Sequence, residues 1–278
     1  MPGNLVSATL RGGLFTRLVG KRILYFQEIP TTMNEASRLA QDGAEEGTVV
    51  VAGTQTASRG RQGRSWVSRE GNLYLSIIFR PTLEVLPMIS ILAGVAAARA
   101  IRKTAGLEPA IKWPNDVMLG GKKTGGILVE SAVQGDQVSY AILGIGLNID
   151  LDAQQEEEIA NSATAINPEA GKTVPPEDVL RQLLHDLDAL YIQATLDVSP
   201  LPEWETLLET LGQSIQATWR NEVFTGLAEG IDNLGNLQLR LGDGQLMTLT
   251  AGDVTLHQPN AATESQIPST RGHHAGNL

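Results

Sequence analysis

Apolar positions along this chain come first in short runs and only later at helical spacing. Ile23-Leu24-Tyr25-Phe26, Val49-Val50-Val51-Ala52 and residues 73–79 read as strands, the last two flanking a polar stretch. Between the first two, Thr32 and Glu35 have capping-box spacing, and Met33, Ala36, Leu39 and Ala40 supply one apolar face, which predicts a helix. Residues 86–103 read as a buried helix, and residues 177–194 and 201–211 as two more. Residues 125–130 and 138–143 are further strands, joined by the turn Gln134-Gly135-Asp136-Gln137. The second runs on into Gly144-Ile145-Gly146-Leu147-Asn148, whose alternate glycines strip one face of its side chains.

From Ser214 the pattern changes to short strands at 215–219, 223–227, 237–241 and 246–250, separated by Arg220-Asn221-Glu222, Asp232-Asn233-Leu234-Gly235 and Gly242-Asp243-Gly244. The expected organisation is an N-terminal extension (1–22), a main domain (23–212), a small β-barrel (213–257) too short to stand well alone, and a disordered tail (258–278). The expected class is α+β, a mixed sheet with flanking helices plus that barrel.

Composition narrows the chemistry. The chain has 278 residues, 42% of them hydrophobic and 19% charged, with a formal net charge of -10, which suits a packed protein and argues against a general nucleic-acid or membrane-surface binder. It has no cysteine, so thiolate chemistry, disulfides and cysteine metal sites are excluded. The longest apolar run, residues 85–98, is too short to span a bilayer, and a cytoplasmic location with no membrane partner is expected. Of the four histidines, His185 falls on the polar side of a helix and His257, His273 and His274 lie near the C-terminus, so no zinc site or Ser-His-Asp triad can be assembled. Chemistry here must come from arginine, lysine, carboxylate, amide and backbone groups.

Against that acidic background, Ser58-Arg-Gly-Arg-Gln-Gly-Arg-Ser-Trp66 concentrates three arginines in a short glycine-bearing loop, the composition of an anion holder. Three more polar interruptions follow: Lys112-Trp-Pro-Asn-Asp116, the paired lysines Lys122 and Lys123, and the glycine-alternating strand. Gly120-Gly-Lys-Lys-Thr-Gly125 lacks the residue order of a P-loop, and neither glycine pair completes a dinucleotide-binding fingerprint. Local rules broken repeatedly within residues 55–148 point to one shared site.

In order and spacing these segments resemble the biotin protein ligases: the arginine loop resembles their G-R-G-R-x-G-R-x-W, Lys112 to Asp116 matches K-W-P-N-D in full, and Lys123-x-x-Gly-Ile-Leu-Val-Glu130 and Gly144-x-Gly-x-Asn148 follow. The resemblance spans residues 23–257 and implies a monofunctional biotin–[acetyl-CoA-carboxylase] ligase with a class II synthetase-like catalytic domain and a C-terminal SH3-like barrel. In such an enzyme the biotin carboxylate attacks the α-phosphate of ATP, giving biotinyl-5'-AMP and pyrophosphate. A lysine of a biotin carboxyl carrier domain, of acetyl-CoA carboxylase or a related carboxylase, then attacks the mixed anhydride. Positioning and charge neutralisation suffice for this, without an enzyme nucleophile.

By the same resemblance, Thr31, Thr32, Gln55, Arg59, Gly60, Arg61, Lys123, Gly126, Gly144 and Gly146 would contact biotin. Arg59, Arg61, Arg64, Trp66, Lys112, Asn115, Lys123 and Asn148 would contact ATP or the adenylate, with Trp66 stacked on adenine. Lys123, Arg61 and Asp116 would be catalytic, Asp116 either orienting the acceptor lysine or taking its proton. Mg²⁺ would arrive with ATP and sit near Asn115 or Asp116, with no side-chain metal site assigned. Ser58 stands where the family usually has glycine, and a positive φ there would cost about 1 kcal/mol. Met33 stands where some members have asparagine, and no polar contact is expected of it. No paired helices precede the first strand, so DNA binding is not expected; the oligomeric state is a monomer or a homodimer. The alternative is a lipoate or octanoate ligase or transferase of the same fold, but its R-R-x-S-G-G-G stretch is absent.

Overall fold

In the computed structural model, which describes residues 12–220, 222–250 and 252–256, seven strands form one mixed sheet. These are β1 (Ile23–Ile29), β2 (Val49–Gln55), β3 (Leu73–Phe79), β4 (Ala110–Lys112), β5 (Asp116–Leu119), β6 (Lys122–Gln134) and β7 (Gln137–Leu147), in the spatial order β1-β2-β3-β7-β6-β5-β4. β1 and β2 run parallel and every other pair antiparallel. The expected tail over 258–278, with His257, His273 and His274, lies outside the described residues.

Strand alternation divides the sheet's apolar residues between two layers. Helices α2 (Ile89–Ala105), α4 (Pro176–Ala194) and α5 (Leu201–Leu207), with the short α3 (Ile166–Ala170), share one core with Val49, Val51, Leu75, Ile77, Phe79, Leu143 and Ile145. The opposite face is covered by α1 (Thr32–Gln41), whose Met33, Ala36 and Ala40 pack on Val50, Ile78 and Ile142. Because α1 is short it roofs only part of this face. The cross-strand rows Gly144–Leu128, which the buried Ser76 continues, and Tyr74–Gly146–Gly126–Asp116 form the floor of an open cavity.

Several elements differ from the sequence expectation. The cap of α1 is Thr31, whose hydroxyl accepts the Met33 N–H; Thr32 lies inside the first turn, and Glu35 pairs with Arg38 instead of reaching back. The polar segment Lys112 to Asp116, for which no element was expected, is the turn of a hairpin between β4 and β5. The helix expected over 201–211 stops at Leu207, after which Glu209 N–H donates to the Ile111 carbonyl and the chain leaves the helical layer.

A second sheet is antiparallel, with strands β8 (Ser214–Trp219), β9 (Glu222–Ile231), β10 (Leu237–Leu241), β11 (Leu246–Leu249) and β12 (Asp253–Leu256) in the order β11-β10-β9-β8-β12. The sequence pattern missed β12. Ile215, Ala217, Ala228, Leu237, Leu239, Leu249 and Val254 are buried and join the helical core. Trp113 pegs the two sheets together, its backbone N–H donating to Thr210 Oγ1 (2.9 Å) and its indole N–H to the Gly235 carbonyl (3.0 Å). The Trp113-Pro114 peptide is cis.

Candidate active site

Glycines make the cavity floor possible. A Cβ on Gly126 or Gly146 would come within 2.9 Å of the Trp66 ring, and one on Gly144 within 2.5 Å of Met33 Sδ. Trp66 therefore lies flat on two strands, and Met33, of which no polar contact is expected, fills the space above Gly144. The cavity volume is about 290 Å³.

At the end beside α1, three polar side chains form a relay. Ser76 Oγ donates to Thr32 Oγ1 (2.8 Å), and the Thr32 hydroxyl (3.1 Å) and backbone N–H (2.7 Å) both donate to Gln55 Oε1. Gln55 is held in turn by its own N–H on Ser68 Oγ. Its carbonyl is occupied and its amide nitrogen is left to donate, while Thr31 lines the same wall.

The opposite end is cationic. The turn Gly120-Gly121 has positive φ at both residues and starts β6 at Lys122. Lys123 faces the cavity, with Nζ 2.6 Å from Asp116 Oδ1 and 5.5 Å from the centroid of the Trp66 ring. Backbone hydrogen bonds to Ser162 and Thr164 fix Lys123 on its outer side. Lys112, paired with Asp116 across the hairpin, also lines the cavity. Asn115 is locked between Ile127 O, to which its amide donates, and Arg61, from which it accepts (3.0 Å).

The arginine loop closes over this floor as a small hairpin. Gly60 N–H donates to Arg64 O (2.7 Å), Arg59 bridges to Ser65, and the Ser58 hydroxyl donates to Trp66 O (2.5 Å). Ser58 does not have positive φ, so the penalty that such a φ would carry does not arise; the left-handed non-glycine residue of this loop is Gln62 (φ 55°). Arg59 points to Glu130 and Asn34, Arg64 to Asp253 of β12, and Arg61 inward to Asn115 and the Gly252 carbonyl. Burial lowers the Arg61 pKa, opposed by the charges of Asp253 and Asp116 and reinforced by Arg64; with so high a starting value the group stays cationic.

Every residue expected at the site lines this cavity except Asn148. Asn148 is buried behind the floor, its amide donating to Thr164 O (3.0 Å) and its backbone tying β7 to Thr124 and Ile166. Sequence reasoning missed Ser76 and Asp253, and weighed Met33 only to give it no polar contact. Ser76 had a signal, a lone hydroxyl in the apolar run Leu-Tyr-Leu-Ser-Ile-Ile-Phe. Trp66 Nε1 and Glu209 Oε1 are buried without a hydrogen-bond partner among the described residues, the first within the cavity wall.

Residues 23–148 match the Biotin/lipoate A/B protein ligase family, and residues 210–256 match the Biotin protein ligase C terminal domain. The chain is 36% identical over 261 residues to the bifunctional ligase/repressor BirA of Bacillus subtilis (strain 168), across 92% of this chain and 80% of that one. It is 37% identical over 220 residues to a biotin–[acetyl-CoA-carboxylase] ligase of Paracoccus denitrificans, across 76% and 90%. Among solved structures, the biotin protein ligase from Aquifex aeolicus in complex with biotin and ATP aligns with a TM-score of 0.73 at 26% identity, covering 86% of this chain and 99% of that chain.

Proposed function

The chain belongs to the biotin protein ligase family, and from that premise we infer that it attaches biotin, at the expense of ATP, to a lysine of a carrier protein. What supports this most is that one glycine-floored cavity has a neutral polar relay at one end and a cluster of cations at the other. A ureido ring has one carbonyl and two N–H groups, which the Gln55 amide, Thr31, Thr32 and backbone carbonyls can meet; Met33 and Trp66, which line the same cavity, take its apolar parts.

The biotin carboxylate then lies toward Lys123. Lys123 and Arg61 neutralise the charge that gathers as this carboxylate adds to the α-phosphate and pyrophosphate departs, with Lys112 lining the same end. Trp66 supplies a flat surface for adenine. In the second half-reaction the acceptor ammonium must lose a proton before it attacks the anhydride. Asp116, released when Lys123 turns to the adenylate, is placed to orient or take it.

Among the described residues no group of three or more carboxylates or imidazoles gathers, so the donor set suits a Mg²⁺ held chiefly by nucleotide phosphates. Asn115 or Asp116 would add an oxygen, and the ion would supply further neutralisation of phosphate charge. The Paracoccus relative's name points to a biotin carboxyl carrier domain as partner.

The test is biotin-dependent exchange of labelled pyrophosphate into ATP, followed by transfer to a purified carrier domain. Exchange with biotin and labelling of one carrier lysine are expected. Exchange supported by lipoate and not by biotin would overturn the assignment.

A further inference from the structure

The three arginines of the loop have the same chemistry but three different settings. Arg59 presents Nε and Nη2 to the two carboxylate oxygens of Glu130 (3.1 and 2.8 Å) and Nη1 to Asn34 Oδ1 (2.6 Å). This two-pronged geometry ties one arm of the hairpin to β6 and to α1. Arg64, on the other arm, pairs with Asp253 at the start of β12, which belongs to the second sheet. Arg61 lies between them, partly buried, and among the described residues it forms no ion pair within 4 Å; its partners are an amide oxygen and a carbonyl. Both outer arginines already carry a full counter-charge, whereas Arg61 has its charge to offer inward.

We propose that Glu130 and Asp253 are positioning residues that clasp the arginine loop over the bound adenylate from two sides, through Arg59 and Arg64, leaving Arg61 as the loop's single phosphate-facing arginine. The proposal rests on the ligase reading of the site. The clasp needs both sheets, so the second sheet takes part in retaining the intermediate through one carboxylate. Trp66 ends the hairpin, and holding the arms down holds its ring against Gly126 and Gly146. A loop so held shields the anhydride from water until the acceptor arrives.

The opposite possibility is that Glu130 and Asp253 are counter-ions which phosphate displaces. The two predict opposite signs. The full chain, and its Glu130→Gln, Asp253→Asn, doubly substituted and Asp253→Glu variants, are loaded with labelled biotin and ATP, with pyrophosphatase present. Release of labelled adenylate is then followed after dilution into unlabelled biotin, alongside pyrophosphate exchange and thermal unfolding. The clasp predicts release about two- to fivefold faster in each single variant and a larger, near-multiplicative increase in the double one. Asp253→Glu should recover retention. Raising salt from about 0.05 M to about 0.5 M should speed wild-type release and close its gap to the variants. Unchanged or slower release in Asp253→Asn and Glu130→Gln, with exchange intact, overturns the clasp and leaves the ligase reading standing. Absence of exchange in the wild-type chain overturns both.

Discussion

Lys122 and Lys123 are adjacent ammonium groups that β6 sends to opposite sides, since successive residues of a strand alternate. Lys122 is exposed, while Lys123 pairs with Asp116 and lies over Trp66. On the proposed reading, an amide in place of Lys123 would take a cation away from the developing phosphate charge. Lys123→Gln should therefore slow adenylate formation in single-turnover exchange about 10²–10³-fold, the loss typical of a preorganised charge-stabilising group, while Lys122→Gln stays within about twofold. Equal effects at both positions would remove Lys123 from its proposed role. Composition made a lysine pair visible without separating its members; the family resemblance singled out Lys123, and the strand register gives the physical reason why the two differ. Ser58 was left open for a related reason: the sequence could not say whether this glycine-like position needs positive φ; it does not, its hydroxyl closes the loop neck, and the left-handed residue is four positions on, at Gln62.

At the scale of elements, the site is two glycine-bearing strands and a loop laid across them. Gly144 and Gly146 announced a bare face in the sequence, and β7 has one, but what covers it is set by contacts distant in the chain. Trp66 lies on Gly126 and Gly146, and Met33 on Gly144. Alanine at 146 would push on an indole held by its loop, whereas alanine at 144 meets the end of a flexible thioether. Overpacking costs about 1–3 kcal/mol, so Gly146→Ala should weaken adenylate binding roughly tenfold to hundredfold by calorimetry. Gly144→Ala should do less, and Met33→Ala should restore it; a Gly144→Ala loss that survives Met33→Ala would contradict the packing argument. Strand β12 was not legible because Asp-Val-Thr-Leu is only one short alternation, and its Asp253 gains meaning only where it meets Arg64 across the two sheets. Asn148 shows the converse: its motif was legible, yet its amide serves the Thr164 carbonyl behind the floor.

For the molecule as a whole, the junction between the sheets carries an unused carboxyl. Glu209 follows α5, its backbone N–H is fixed on Ile111 O, and its buried Oε1 has no hydrogen-bond partner among the described residues. Burial raises its pKa, Lys112 opposes the shift and Asp116 adds to it. A carboxyl whose folded pKa lies above its unfolded one contributes most to stability below the unfolded value, and that contribution is lost as pH rises through the folded value. Glutamine keeps the shape without ionising, so Glu209→Gln should unfold at a higher temperature than the wild type near pH 8. The gap should shrink toward nothing near pH 4.5, around the ordinary range of a glutamate. A gap of the same size at both pH values would mean that the amide gains from packing or hydrogen bonding rather than from discharge. A stabilised Glu209→Gln protein has a further consequence, because the charge of Glu209 is felt by Lys112 and Asp116, which line the cationic end of the cavity. Stability recovered there would mark the junction as a place where the chain keeps a buried charge beside its site at the expense of its fold.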